Sequence, residues 1–114
     1  MSARFFPDRD QPFVTVAEGS VRRKLRAHGP SLMMVEVYFE TGGVAPEHAH
    51  PHEQATVCLE GRFEFTVEGR TEPMAAGDSV HVPGGVPHSV RCLERGRMLD
   101  AFTPPREEIG RAHV

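Results

Sequence analysis

Glycine and proline punctuate this chain so densely that no long amphipathic helix fits between them. Eleven glycines and ten prolines are spread over 114 residues. No apolar pattern of period 3.6 persists for three turns, whereas period two is common. Met33, Val35, Val37 and Phe39 share one face of "LMMVEVYFE", and Phe63, Phe65 and Val67 share one face of "RFEFTV". Val80 and Val82 alternate in "SVHVP", as do Met98, Asp100 and Phe102 in "MLDAF". Successive side chains of an extended backbone point to opposite faces, so these runs read as strands. The breaks between them, "TGG", "LEGR", "VEGRTEP", "AAGDS", "PGGVP" and "ERGR", carry turn chemistry. Glu-Gly and Glu-Arg-Gly are expected as tight hairpins. Strands arriving every ~8–12 residues predict an all-β sandwich or small barrel.

The length suits a single domain over residues 1–114. Residues 1–12 are expected as an irregular lead-in, the core at about 13–103, and residues 104–114 as a cap or tail. A formal net charge of -3 gives no reason to expect a nucleic acid or an anionic membrane as partner. No apolar stretch approaches the ~20 residues of a membrane span. The N-terminal "MSARFFPDRDQPF" lacks the basic-then-apolar layout of a signal peptide, so a cytoplasmic location is expected. Cys58 and Cys92 are expected to be buried, reduced thiols. The run Arg22 to Arg26, "RRKLR", reads as a strand with one solvated face, although it could also attract an acidic substrate.

The chemistry concentrates in "TGGVAPEHAHPHEQATVCLEG", residues 41–61. His48 and His50 lie two apart, so on a strand both imidazoles reach one point, and imidazole is the commonest metal ligand. A third imidazole, His88, follows the glycine- and proline-rich turn "VPGGVP", which can start a strand at a fixed angle.

These residues carry a resemblance. Gly42, His48, His50, Gln54 and Gly61 fit the spacing of the first motif of the cupins, small β-barrels also called RmlC-like. Gly77, Pro83, Gly85 and His88 fit the second motif without a gap. The resemblance implies a jelly-roll barrel, or double-stranded β-helix, that binds one divalent transition metal such as Zn, Ni, Mn or Fe. It departs from the family pattern where Gln54 replaces the usual Glu ligand and Cys92 replaces an Asn. Glu53 stands next to Gln54. Parity favours Gln54, which shares its face with His48 and His50, whereas Glu53 falls with Ala55, Val57 and Leu59, where its carboxylate would lack company. A neutral fourth ligand leaves the metal more Lewis acidic and departs from the two-His, one-carboxylate set of many iron oxygenases. His52 has the right parity but follows Pro51, and reads as a supporting or rim residue.

The phrase "MLDAFTPPRE", with "HPHEQ" and "GRFEF", is similar to small single-domain cupins related to the pectin-degradation protein. That group converts 4,5-unsaturated uronates to open-chain 5-keto-4-deoxyuronates. The resemblance implies active-site roles for Asp100, Phe102 and Arg106: a proton shuttle, an apolar wall and a carboxylate clamp. Plainer roles stay open, Asp100 pairing with an Arg such as Arg91 and Arg106 lying on the surface. Three functions fit these residues: a metal-dependent isomerase of a sugar acid, a dioxygenase of the quercetinase kind, and a non-enzymatic small-ligand or metal-binding module. A homodimer is expected, joined through apolar sheet faces such as Phe63, Phe65 and Val67.

Overall fold

The computed structural model describes residues 2–112. Among them are eight strands and one α-helix: β1 (Val14–Val16), β2 (Val21–His28), β3 (Met33–Phe39), β4 (Val44–His48), β5 (Glu53–Val67), β6 (Arg70–Ala75), β7 (Ser79–Val82), β8 (His88–Thr103) and α1 (Glu107–Ala112). All strand pairing is antiparallel. The two longest strands form the spine, paired from Glu53 opposite Thr103 to Val67 opposite His88 with a shift of register midway. At one end β3, β2 and β1 extend the sheet beyond β8, and β7 pairs with β5. At the other end β6 pairs with β5, and β4 with β8. Two sheets therefore share two strands. Their inner faces bury one apolar core that includes Val21, Phe39, Phe63, Met74, Val82 and Met98. Phe39 meets Phe63 edge-on at 5.1 Å, the arrangement that aromatic quadrupoles favour. This is the all-β barrel that the alternating segments predict, in the jelly-roll form that the cupin resemblance implies.

Two expected turns are absent. "LEGR" and "ERGR" lie inside β5 and β8, whose pairing shifts register between Cys58 and Phe63. Gly61, at φ +85°, faces Gly96 across the shift. A Cβ on Gly61 would stand 2.6 Å from the carbonyl oxygens of Glu94 and Arg95, and one on Gly96 would strike the Glu60 carbonyl. The glycines thus make a bulge where both long strands pass from one sheet into the other, not a reversal. The bulge also changes the inward parity of β5: Gln54, Thr56 and Cys58 are buried before it, Phe63 and Phe65 after it. The true hairpin is Glu68–Gly69, both at positive φ, joining β5 to β6.

Three further expectations change. Phe63 and Phe65 are 0% and 3% exposed inside the barrel, so they cannot join two copies through a sheet face. The basic run of β2 does not have one solvated face only: Arg22 and Lys24 lie over the Phe13 ring and Arg26 pairs with Asp8 and Glu36, but Arg23 borders the barrel cavity. Glu53 does have company, accepting a 2.6 Å bond from His81 Nε2 on the barrel exterior.

The segment before β1 is irregular apart from a turn at Asp8–Asp10, tied down by Asp8 to Lys24 and Arg26. After β8 the chain forms α1, whose Ile109 is buried against Leu25, Met33 and Phe102 and caps one end. The last two positions of the expected tail, 113–114, lie outside the described residues. Cys58 and Cys92 are buried and free, as expected. No helix among the described residues is long and apolar enough to cross a membrane.

The sheet-crossing bulge has a direct test. Gly61→Ala and Gly96→Ala each force a methyl group into facing backbone, and at Gly61 the positive φ adds strain. Each substitution is expected to destabilise the fold by roughly 2–4 kcal/mol in urea unfolding. A loss under about 0.5 kcal/mol, the size of an ordinary surface change, would mean that the crossing tolerates a side chain.

Candidate metal centre

His48 ends β4 and His88 begins β8, and the two are direct cross-strand partners with ring centroids 4.3 Å apart. His50 lies in the loop between β4 and β5, its ring 4.9 Å from that of His88. The ligating atoms of the three rings fall within 4.8 Å of one another. Glycine locks the two contributing loops together. The Gly85 amide donates to the His50 carbonyl at 2.7 Å. A Cβ on Gly84 would strike the Pro51 carbonyl oxygen, so only glycine lets the second motif pack this closely on the first.

Each imidazole is oriented by the same device. His48 Nδ1 donates to the Pro46 carbonyl at 2.9 Å, His50 Nδ1 to the His52 carbonyl at 3.0 Å, and His88 Nδ1 to the Val86 carbonyl at 2.9 Å. A proton committed at Nδ1 leaves a lone pair on Nε2. His88 Nε2 is buried with no hydrogen-bond partner. Burial holds His50 and His88 below the usual imidazole pKa, with the nearby Arg106 charge adding to the effect. Both are therefore neutral near pH 7, the form that binds metals.

Gln54 lies beside the three imidazoles. Its Nε2 donates to Thr56 Oγ1 at 2.9 Å, which directs Oε1 toward His50 Nε2 at 3.1 Å. With the His50 proton at Nδ1, two lone pairs meet at that distance, and a cation bound by both atoms relieves their repulsion as a proton on Nε2 would. That contact and the orphaned His88 Nε2 make the donor set His48, His50, Gln54 and His88 fit a divalent metal. His52 supports the set through its main-chain carbonyl, while its ring packs at 5.5 Å against that of His50.

A cavity of about 180 Å³ opens beside His48, lined among others by Arg23, Asp100, Phe102 and Arg106. Asp100 pairs not with Arg91 but with Thr56, whose Oγ1 donates to its Oδ1 at 2.6 Å. Burial pushes the Asp100 carboxyl up to about 6, against the opposing pull of the Thr56 bond and the Arg106 charge. Arg106 is no surface residue. Its side chain is 17% exposed, lies over the Phe102 ring at 5.2 Å and bonds Glu108 at 2.8 Å. Phe102 also presents its edge to His50, with centroids 5.7 Å apart. The expected site residues thus converge on one end of the barrel.

Two neighbours escape a motif-based reading, Thr56 and Arg23. Parity marks both. Thr56 continues the even series through Gln54, and Arg23 lies between the buried Val21 and Leu25.

Two measurements check this geometry. Thr56→Val removes the acceptor that orients Gln54, and zinc affinity by chelator competition is expected to fall ~10–100-fold. An unchanged affinity would mean that Thr56 does not hold the ligand in place. An unfolded Asp ionises near pH 3.8, whereas folded Asp100 keeps its proton to about pH 6. Between those values the folded state binds the extra proton, so this group's contribution to stability falls as pH rises and stays lower above the window. Asp100→Asn, which never ionises, is expected to be more stable than the parent by roughly 1–3 kcal/mol at pH 8, with the gain gone below about pH 4. A pH-independent difference would contradict the raised pKa.

Comparison with known proteins agrees with this arrangement. The Cupin domain family matches residues 35–102, more than half of the chain and inclusive of all four candidate ligands. Among solved structures the chain is similar to KdgF from Halomonas sp., with a TM-score of 0.89 and 31% identity over 95% of this chain and 99% of that one. Among curated proteins it is 38% identical over 66 residues to dimethylsulfoniopropionate lyase DddQ of Ruegeria pomeroyi, covering 57% of this chain and 33% of that protein. It is 30% identical over 63 residues to quercetin 2,3-dioxygenase of Bacillus subtilis, covering 54% of this chain and 19% of that protein. The chain spans a third or less of the length of these two curated relatives. From the matched family, the barrel topology and the converging histidines, this chain belongs to the cupin family.

Proposed function

We propose that this cupin is a metal-dependent isomerase that converts a 4,5-unsaturated uronate to its open-chain keto form. The observation that carries the reading is the hydrogen-bonded line from Gln54 through Thr56 to Asp100, which links a four-donor metal set to a carboxyl poised near neutrality. The likeness to KdgF over almost the whole of both chains supports it. So does the cavity, which is smaller than the roughly 300–1,000 Å³ of drug-sized pockets and suits one sugar ring.

His48, His50, Gln54 and His88 would hold one divalent ion, whose identity these donors leave open among Zn, Ni, Mn and Fe. Bound there, the ion supplies Lewis-acid polarisation of a substrate oxygen. Arg106 holds the substrate carboxylate through a paired hydrogen bond. Phe102 walls the cavity and keeps water from the reacting carbons. Asp100 moves the proton. Its acid form protonates C4, the double-bond electrons shift as the C5 carbonyl forms, and the bond from the ring oxygen to C1 breaks. The C1 hydroxyl becomes the aldehyde and returns a proton to Asp100. Atoms balance without oxidant or water. A carboxyl with a pKa near 6 can both give and take this proton near neutral pH. The unit acts as a homodimer, through a face other than the buried Phe63 and Phe65.

The partial match to quercetin 2,3-dioxygenase favours one rival, an oxygen-consuming reaction on the same barrel. Against it stands the neutral Gln54 in place of a carboxylate. Metal-loaded protein is expected to consume unsaturated uronate, followed by loss of its ultraviolet absorbance, with no oxygen uptake at an electrode. Asp100→Asn is expected to lower turnover by ~10²–10⁴-fold while zinc still binds as tightly as to the parent protein. Normal turnover in that variant would remove Asp100 from the mechanism, and stoichiometric oxygen uptake would replace the isomerase by the rival.

A further inference from the structure

The mechanism above leaves one charged group of the cavity unused. Arg23 lies mid-strand in β2, with Val21 and Leu25 on the same face at 2% and 6% exposure. Its backbone partners are Val14 on β1 and Val37 on β3. Core strands seldom carry an arginine at such a position, because an ion among apolar neighbours is costly and guanidinium cannot shed its proton. The outward residues of the same strand show what the exterior offers: Arg22 and Lys24 lie against Phe13, and Arg26 pairs with Asp8 and Glu36. Arg23 instead borders the cavity that also contains His48, Asp100 and Arg106.

The charge balance of that cavity favours an anion. Two guanidinium groups and one carboxyl line it, and the remaining lining residues apart from His48 are apolar. Asp100 is itself reluctant to ionise. Arg106 is partly neutralised by its 2.8 Å bond to Glu108. Arg23 is depressed below the usual guanidinium pKa, first by burial and then by the Arg106 charge, with Glu108 opposing. Arg23 and Arg106 thus line one cavity and repel each other across it.

We propose that Arg23 is a specificity-determining residue, forming with Arg106 a two-guanidinium clamp that restricts this cavity to small carboxylates. Planar guanidinium groups match a carboxylate in geometry as well as charge. A carboxylate offsets the repulsion between the two guanidinium groups more fully than a neutral sugar can. The clamp deepens the uronate reading and rests on it for the position of the ligand, but it concerns recognition and not the proton transfer.

The test compares two probes, D-galacturonate and neutral D-galactose, titrated into zinc-loaded protein and followed by ligand-observed NMR. The parent protein is expected to prefer the carboxylate. Arg23→Met keeps the length of the apolar stem, and Arg23→Lys keeps the charge without the fork. The Met variant is expected to lose at least tenfold in galacturonate affinity with galactose binding and zinc affinity unchanged, and the Lys variant to recover part of the loss. Should the Met variant fail to fold, the Lys variant alone decides, and parent-like galacturonate affinity there would overturn the fork geometry. Unchanged discrimination in a folded Met variant overturns the clamp even if uronate turnover is found. Arg23-dependent galacturonate binding without any uronate turnover sinks the isomerase and leaves the clamp standing. A parent protein with no preference for the carboxylate overturns the clamp outright.

Discussion

The contact on which this barrel depends is the backbone-to-backbone approach of Gly61 and Gly96. Each lies so close to the opposite strand that any side chain there would enter main-chain atoms. Because they tolerate that approach, β5 and β8 bend together and cross from one sheet to the other without breaking their pairing. The crossing closes a barrel from two shared strands, where a flat ribbon would leave two long edges. It also sets the parity of everything downstream. Before the bulge β5 turns Gln54 and Thr56 inward, and after it Phe63 and Phe65. One end of the barrel is thereby polar and can hold a metal, while the middle is packed with aromatic and aliphatic side chains.

Much of this was legible from alternation and spacing, because strand periodicity survives in the sequence wherever one face is buried. The even placement of His48, His50 and Gln54 points to side chains that do converge, although His50 lies in the loop after β4 and not on a strand face, and the paired glycine-bearing motifs give their relation to His88. What misled was glycine itself. Glu60-Gly61 and Glu68-Gly69 look alike as dipeptides, yet one is a bulge and the other a two-residue hairpin. The difference lies in which strand faces each glycine, a long-range fact that no local window contains. Alternation alone likewise leaves Phe63 and Phe65 free to face a partner, since their inward direction is set by the bulge. Arg23 was hidden within a basic run because runs of like charge ordinarily mark a solvated face, and only the burial of Val21 and Leu25 shows otherwise.

The site trades stability for readiness. Asp100 lies where a carboxylate is poorly solvated, and the protein keeps it there although an uncharged residue would suit the barrel better. The histidines follow the opposite logic. Their Nδ1 protons are committed to main-chain carbonyls, so their orientation costs little extra order when a ligand arrives. Arg106 links the two halves: its charge helps keep His50 and His88 neutral while pulling modestly on Asp100.

The replacement of a carboxylate by Gln54 then acquires a physical meaning beyond ligand charge. An amide can donate, and Gln54 Nε2 does so to Thr56. That donation occupies a lone pair of the Thr56 hydroxyl and turns its own proton toward Asp100. The line therefore has a fixed direction, from amide to hydroxyl to carboxyl. A glutamate at position 54 would have no proton to offer, and one Thr56 hydroxyl would face two carboxylates while able to satisfy only one. It would also place a second negative charge near Asp100, raising its pKa further. Gln54 lets Asp100 receive a steady hydrogen bond at Oδ1 and leaves its other oxygen to carry a proton. Under the proposed function, ligand choice and proton chemistry in this barrel are thus one constraint, expressed through Thr56.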